Sequence, residues 1–338
     1  MISVVMPVYN GGDYLKEAIE SILNQTYKDF EFLIIYDDST DNTLSIIQEF
    51  QEQDERIVFI NGDKEGISGA FNKGIKKAKG RYIARMDADD VSDKDRFSLQ
   101  IDYLKSNNLD ICGSSIRVLG STKKIIAYPE SKEDVKFFSM FGSPIAHPTV
   151  FGYTHLFKKF LYHNIVAEDY DLWTRMLCEG IKIGNMQVSL LNYRVHDNQL
   201  TKDLTEIIES SILISNNFIE TYIDDDDIRI ELQNYKCFMK DTYSIKGINS
   251  FLKKICMIAK KNHVSVAMQC RAISIMYSRS SSYNLFTLYS YIKAIKCTGS
   301  NPLSSIDLRL VILFIFSIKK NSKLVDLFKA YSKKKYSD

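Results

Sequence analysis

The stretch Tyr82-Ile83-Ala84-Arg85-Met86-Asp87-Ala88-Asp89-Asp90 constrains this chain more than any other. It starts as a short apolar strand, Tyr82 to Met86, and ends in three carboxylates. Carboxylates crowded at a strand end repel one another unless something positive sits among them. A hard divalent cation meets that need, because Mg²⁺ takes one or two carboxylates and fills its shell with substrate phosphate oxygens. Asp87 and Asp89 therefore read as a metal–diphosphate site at the carboxyl edge of a sheet, where open α/β sheets bind ligands. A solvated acidic loop capping the next helix is the other reading of a bare Asp-x-Asp.

The first 120 residues alternate strand and helix around this stretch. Ile2 to Met6 is an apolar run that Pro7 should stop. Leu15, Ala18, Ile19, Ile22 and Leu23 form a helical stripe within Tyr14 to Asn24, with Asp13 as its expected N-cap. Phe30 to Tyr36 and Ile57 to Ile60 read as strands. Thr43 to Gln53, Ile67 to Ala78 and Asp93 to Ser106 read as helices. Such alternation predicts a mainly parallel sheet with helices on both faces. From Asp110 the rhythm changes: Ile111 to Leu119 and Lys124 to Tyr128 look antiparallel, and a helix is expected over Lys132 to Phe141. His147-Pro148-Thr149-Val150 should open a strand, Tyr170 to Glu179 a helix, and Leu190 to Arg194 a last strand. After Thr201 the pattern is helical.

Composition narrows the class. With 45% hydrophobic and 25% charged residues the chain reads as an ordinary globular protein. Met1 leads straight into a strand, so no secretory signal is expected. No apolar run reaches the roughly 18 residues of a membrane-spanning helix. The six cysteines show no C-x-x-C pairing and suit a reducing, cytoplasmic compartment. The net charge of +2 conceals an asymmetry: from Lys246 onward 17 Lys and Arg face only Asp307, Asp326 and Asp338. A basic tail behind an acidic front suggests a polyanionic partner.

Two further strand ends carry ligand chemistry. The first reads Pro7-Val8-Tyr9-Asn10-Gly11-Gly12, where glycines let the backbone approach a ligand closely. The Tyr9 ring could stack on a nucleobase or simply pack in a β–α turn. The second reads Tyr36-Asp37-Asp38-Ser39-Thr40-Asp41, where Asp37 can accept the N–H of a uracil-type base. Ser39 and Asp41 suit a helix N-cap.

Five blocks now stand in a fixed order: Ser3 to Asn10, Ile22 to Thr26, Asp37 to Thr43, Gly66 to Gly74, and Ala84 to Asp90. Their order and spacing resemble family 2 glycosyltransferases of the GT-A fold, of the bacterial capsule, O-antigen and exopolysaccharide kind. The resemblance continues through Ala146 to Thr149, Ala167 to Trp173 and Tyr193 to His196, covers roughly residues 1–200, and fades beyond. It implies a catalytic domain over 1–200 and a helical, basic C-terminal region over 201–338. By the same resemblance, Pro7, Tyr9, Asn10, Asp37, Asp87, Arg194 and His196 bind the donor nucleotide. Asp87, Asp89 and His196 are the implied ligands of Mn²⁺ or Mg²⁺. The chain departs from the family at Tyr36 and Asp38, where an Asp and a Gly are usual.

Inverting sugar transfer needs a carboxylate to take the proton of the attacking hydroxyl. The family puts that base at Asp169, with Glu168 sharing the role or positioning the acceptor. Acids at a helix start also suit the macrodipole. Arg194 and His196 lie two apart, so on an extended segment they share a face. His147 reads as lining the acceptor side, and Trp173 as core rather than an acceptor platform. The expected reaction moves a sugar from a nucleotide-diphosphate donor, UDP-linked, to a saccharide acceptor, lipid-linked on a polyprenyl carrier. The basic tail suits either an anionic membrane surface or a plain helical bundle, including a homodimer interface. No motif supports nucleic-acid binding. The rivals are a sugar nucleotidyltransferase and a catalytically silent nucleotide-binding scaffold.

Overall fold

The computed structural model describes residues 1–119, 124–196 and 204–223. Beyond these it describes residues 226, 229–230 and 254–277, with single positions between 291 and 298. By their internal contacts, Met1–Val135 with Ser143–Ser210 form one compact unit, and Lys136–Gly142 with Ser211–Asp338 form another.

The first unit is built on one sheet. Its strands are β1 (Ile2–Val8), β2 (Phe30–Tyr36), β3 (Ile57–Asn61), β4 (Tyr82–Arg85), β5 (Val91–Ser92), β6 (Ile111–Val118), β7 (Ile125–Ile126), β8 (Phe151–Tyr153) and β9 (Ile183–Tyr193). They lie in the order β3-β2-β1-β4-β8-β6-β9-β5, with β7 paired to β6. β1, β2, β3 and β4 are parallel. β8 runs against both β4 and β6, and β9 is parallel to β6. Hence β6 and β9 point the same way as β1 to β4, and all six carboxyl ends emerge at one edge. The strands with both faces covered read as near-continuous apolar runs, the pattern of a buried parallel sheet.

The helices are α1 (Leu15–Leu23), α2 (Thr43–Gln53), α3 (Gly66–Lys77), α4 (Arg96–Ser106), α5 (Lys132–Phe138), α6 (Thr154–Phe160), α7 (Glu168–Cys178) and α8 (Leu204–Tyr222). Alternate residues separate the two faces of the sheet. Ile2, Val4, Met6, Phe32 and Ile34 join Leu15, Ile19, Ile47 and Phe97 in one core, so α1, α2 and α4 share a face. α3 covers the other face. There a Cβ on Gly74 would stand 2.5 Å from Val5 Cγ1 and 2.8 Å from Ile35 Cδ1, so the close helix–sheet approach requires glycine.

Several local expectations are corrected. β1 runs through Pro7 to Val8 rather than stopping at Met6. Val5 accepts the Met86 amide and Val8 accepts that of Asp37, so alternate peptide groups face opposite neighbours. Pro7 therefore turns its missing N–H toward β4, which has already ended at Arg85. Asp13 does not cap α1, which begins after Tyr14 without a side-chain cap. The amides of Tyr14 and Leu15 instead donate to the Gly11 carbonyl. His147–Thr149 is a 3-10 turn, because Pro148 suits a helical first turn and Thr149 Oγ1 returns to the Ala146 carbonyl at 2.8 Å. The strand follows only at Phe151.

In the second unit, α8 buries Ile214, Phe218 and Ile219. The Ser215 hydroxyl donates to the Met140 carbonyl at 2.7 Å, and the Arg271 guanidinium lies 4.8 Å from the Phe138 ring. Residues 254–261 and Val266–Tyr277 are helical. No helix among the described residues is long and apolar enough to cross a membrane. The apolar peak at 310–316 and most of the basic tail lie outside the described residues.

Candidate active site

Because β2, β1 and β4 are neighbours in that order, the loops after Tyr36, Val8 and Arg85 open side by side. The first two loops are laced together. Asn10, in the left-handed region at φ 49°, donates its amide to Ser39 Oγ at 2.9 Å. Its side-chain oxygen accepts the Thr40 amide at 2.8 Å. The Gly11 amide donates to Thr43 Oγ1 and the Gly12 amide to Asp41 Oδ2. Asn10 thus shapes the cradle through its backbone and amide, which its sequence neighbourhood did not reveal. Tyr9 stands 63% exposed beside it, open to a planar ligand.

Asp37 Oδ1 accepts the Lys64 amide at 2.8 Å, which fixes the carboxylate and leaves Oδ2 available. Lys64 Nζ meets Asp38 Oδ2 at 2.6 Å across the same mouth. A Cβ on Gly62 would lie 2.5 Å from Asp37 Oδ1, so this approach too needs glycine. Tyr36 stands in the core cluster against Phe59, at 5.8 Å between ring centroids, with its hydroxyl donating to the Ser39 carbonyl. The unusual residue at that strand end is therefore a packing element.

The acidic loop after β4 is tied on both sides. Arg85 Nε donates to Asp87 Oδ1 at 3.0 Å. Burial raises the Asp87 carboxyl, opposed by Arg85 and helped by Asp89. Burial also raises Asp90, with Asp87 adding to it. Asp90 is fully buried; its Oδ1 accepts the Arg194 amide at 2.9 Å, while its Oδ2 has no partner. β5, a two-residue strand that sequence periodicity could not show, pairs Val91 with Asn192 and so delivers the end of β9 to this loop. Arg194 Nε donates to the Asp89 carbonyl at 2.8 Å, its guanidinium pairs with Glu17, and it lies 4.4 Å from the Tyr14 ring. His196 Nε2 stands 3.0 Å from Asp89 Oδ2, its Nδ1 is buried without a partner, and its ring meets Tyr14 at 5.1 Å. Arg194 and His196 do share a face, the one that Tyr14 covers.

Asp87, Asp89 and His196 are the expected ligands of a divalent cation. The carboxylates are crowded, burial raises Asp87, and both Asp90 Oδ2 and His196 Nδ1 are orphaned. Among the described residues no group of three or more His, Cys, Asp or Glu is placed to hold a metal ion by itself. A set of one or two carboxylates is what Mg²⁺ or Mn²⁺ uses when phosphate oxygens complete the shell.

Glu168 and Asp169 stand within the first turn of α7 rather than before it, because Ala167 takes a left-handed turn at φ 61°. The positive helix terminus favours both charges. Asp169 Oδ2 accepts the Ser143 hydroxyl at 3.0 Å. Burial nonetheless raises Asp169, against the pull of Ser143, the Tyr170 amide and Arg85. Burial likewise raises Glu168, with Asp169 adding to it and Arg85 opposing. Arg85 therefore acts on both the Asp87 loop and the α7 carboxylates. Tyr162 and Ser143 carry no motif, and Arg85, although it stands just before Asp87, shows its role only through its tertiary partners. Trp173 is fully buried, as a core residue should be.

Comparison with known proteins bears on the family and the fold. The Glycosyl transferase family 2 profile matches residues 3–165. An uncharacterized glycosyltransferase of Methanocaldococcus jannaschii is 35% identical over 215 residues, spanning 60% of this chain and 74% of its own length. The O-antigen biosynthesis glycosyltransferase WbnJ of Escherichia coli is 34% identical over 228 residues, 65% of this chain and 89% of its own. An uncharacterized glycosyltransferase of Haemophilus influenzae is 28% identical across 97% of this chain and 96% of its own. Among solved structures, S. aureus TarS in complex with UDP-GlcNAc shares the fold, with a TM-score of 0.56 and 15% identity, covering 87% of this chain and 88% of that one.

Proposed function

Because the chain belongs to glycosyl transferase family 2, we propose that it is an inverting glycosyltransferase drawing on a UDP-linked sugar for surface-polysaccharide assembly. The sheet edge carries the three groups that this reaction needs. Tyr9 and Asp37 receive the nucleobase, Asp37 by accepting the base N–H on its free Oδ2. Asp87, Asp89 and His196 hold the divalent cation, which when bound neutralises diphosphate charge. Asp169 takes the proton of the acceptor hydroxyl as its oxygen attacks the anomeric carbon. The bond from that carbon to the diphosphate breaks, and the nucleoside diphosphate leaves with the electron pair. Ser143 aims the Asp169 carboxylate, and burial keeps it basic enough to accept a proton.

The observation that carries this reading is Arg85. One guanidinium is bonded to Asp87 beside the diphosphate site and opposes the burial that raises the carboxyls of Glu168 and Asp169 on α7. A binding scaffold has no need of a buried cation shared by two carboxylate groups. WbnJ, named for O-antigen biosynthesis, supports a saccharide acceptor. The basic tail supports an acceptor held at an anionic membrane surface, such as a polyprenyl-linked saccharide.

The test is turnover by the full-length protein against UDP-, dTDP- and GDP-sugars with Mn²⁺ or Mg²⁺. The expected product is nucleoside diphosphate, released slowly to water and faster with a saccharide acceptor. Release of pyrophosphate from a nucleoside triphosphate offered with a sugar phosphate would make the protein a nucleotidyltransferase. Binding without turnover of any donor would make it a scaffold.

A further inference from the structure

The cluster around His147 reaches past the functional reading above, on which its catalytic meaning rests. Arg85 is almost wholly buried and stacked 3.7 Å from the centroid of the Phe71 ring. Its Nε is committed to Asp87, and a terminal nitrogen abuts His147 Nε2. The same Nε2 stands 2.9 Å from the Tyr162 hydroxyl. On its other side, His147 Nδ1 lies 3.8 Å from Glu168 Oε1. The four residues come from β4, the 3-10 turn, the loop after α6 and the start of α7.

The tautomer follows by elimination. A guanidinium only donates hydrogen bonds, so the ring nitrogen facing it must carry the lone pair. Tyr162 then accepts from Arg85 and donates its own proton to Nε2. A neutral imidazole with a lone pair at Nε2 has its proton on Nδ1, the nitrogen that faces Glu168. Burial and the adjacent Arg85 charge both hold His147 neutral, well below the usual histidine range. The ring cannot swing away, since Phe71, Tyr162 and Trp173 enclose it at centroid distances of 5.9, 5.4 and 5.9 Å.

We propose that His147 is a positioning residue: held as the Nδ1–H tautomer by Arg85 and Tyr162, it offers Glu168 a fixed donor that orients this carboxylate toward the acceptor. At 3.8 Å the bond is not formed, and a shift of under about 1 Å closes it. Acceptor binding at Glu168 is the proposed cause of that closure. The contacts run from Asp87 through Arg85 to His147, whose Nδ1 stands 3.8 Å from Glu168, so closing that one gap puts the donor and acceptor carboxylates on one support.

Two measurements on the full-length protein test this. The first is the ¹⁵N spectrum of histidine-labelled protein, with the His147 signals assigned by their loss in His147→Gln. The expected pattern is a protonated Nδ1 and a bare Nε2 at neutral pH, unchanged as pH falls through the ordinary histidine range. A proton on Nε2, or a charged ring, overturns the proposal whatever the enzyme proves to catalyse. The second compares His147→Asn with His147→Gln. Asparagine can put an amide N–H near the Nδ1 position, whereas glutamine carries its amide outward to the Nε2 position. His147→Asn should keep most of the parent acceptor KM, and His147→Gln should raise it roughly ten- to a hundredfold with the UDP Kd unchanged. Equal losses in both variants, tracking a fall in Tm, would reduce His147 to a packing residue. If no donor is turned over by the parent, the function is wrong and the spectrum still decides the tautomer.

Discussion

Asp90 Oδ1 accepts the backbone N–H of Arg194 at 2.9 Å, joining residues 104 positions apart. This bond fastens the end of β9 to the acidic loop after β4. It brings His196 to Asp89 although neither segment is longer than a few residues. The candidate metal site is therefore assembled by a backbone bond to a buried carboxylate, and its parts test separately.

Asp89→Ala should abolish transfer and weaken nucleotide-diphosphate binding, because the carboxylate opposite His196 is lost. Titration calorimetry with UDP, with and without Mn²⁺ or Mg²⁺, makes the comparison. Parent protein that binds UDP equally well in excess chelator would sink the metal site.

Asp169→Asn should lower kcat by about 10²- to 10⁴-fold while leaving donor binding intact. Burial raises this carboxyl in the folded state. A base must be ionised, so in the parent kcat falls as pH drops through that raised value, above the usual aspartate range. The stability sign is opposite. A raised folded pKa contributes stability in full below the unfolded value and loses it as pH rises through the folded one. Asparagine escapes that loss, so the Tm of Asp169→Asn should gain on the parent as pH rises. An acid limb at the ordinary aspartate position, or a Tm difference flat with pH, would remove Asp169 from the role.

Gly74→Ala separates propensity from packing. Alanine improves an isolated helix by up to about 1 kcal/mol. Here its Cβ would stand 2.5 Å from Val5 Cγ1, and overpacking of that kind costs about 1–3 kcal/mol. Packing should win, lowering stability in urea unfolding. A more stable variant would mean that α3 can move off the sheet freely.

The basic tail should bind anionic vesicles strongly at low salt and release as salt rises, since each Lys or Arg near the surface contributes on the order of 1 kcal/mol. Co-sedimentation with anionic and neutral vesicles across a salt series reads this out. Equal and negligible pelleting with both would leave the tail without a membrane role.

The sequence by itself determined the parallel half of the sheet and its ligand edge. Phe30–Tyr36 and Thr43–Gln53 fall where periodicity puts them, because a strand covered on both faces is a continuous apolar run and an amphipathic helix repeats every turn. The position of Asp37, Asp87 and Asp89 just past the strands was legible for the same local reason: each follows the end of an apolar run. β9 was read short because its middle, Gln187 and Val188, is exposed and its pairing with β6 shifts register between Ser114 and Ile116. α6 and the two-residue β5 are too short to display a period. Only the tertiary structure decided that Arg194 is tied to Glu17 and the Asp89 carbonyl, and that Asp169 leans on Ser143. It alone gathers Arg85, His147, Tyr162 and Glu168 into one buried cluster. Their contacts join four different elements, and a hydrogen bond across such distances in sequence leaves no period, spacing or composition to read.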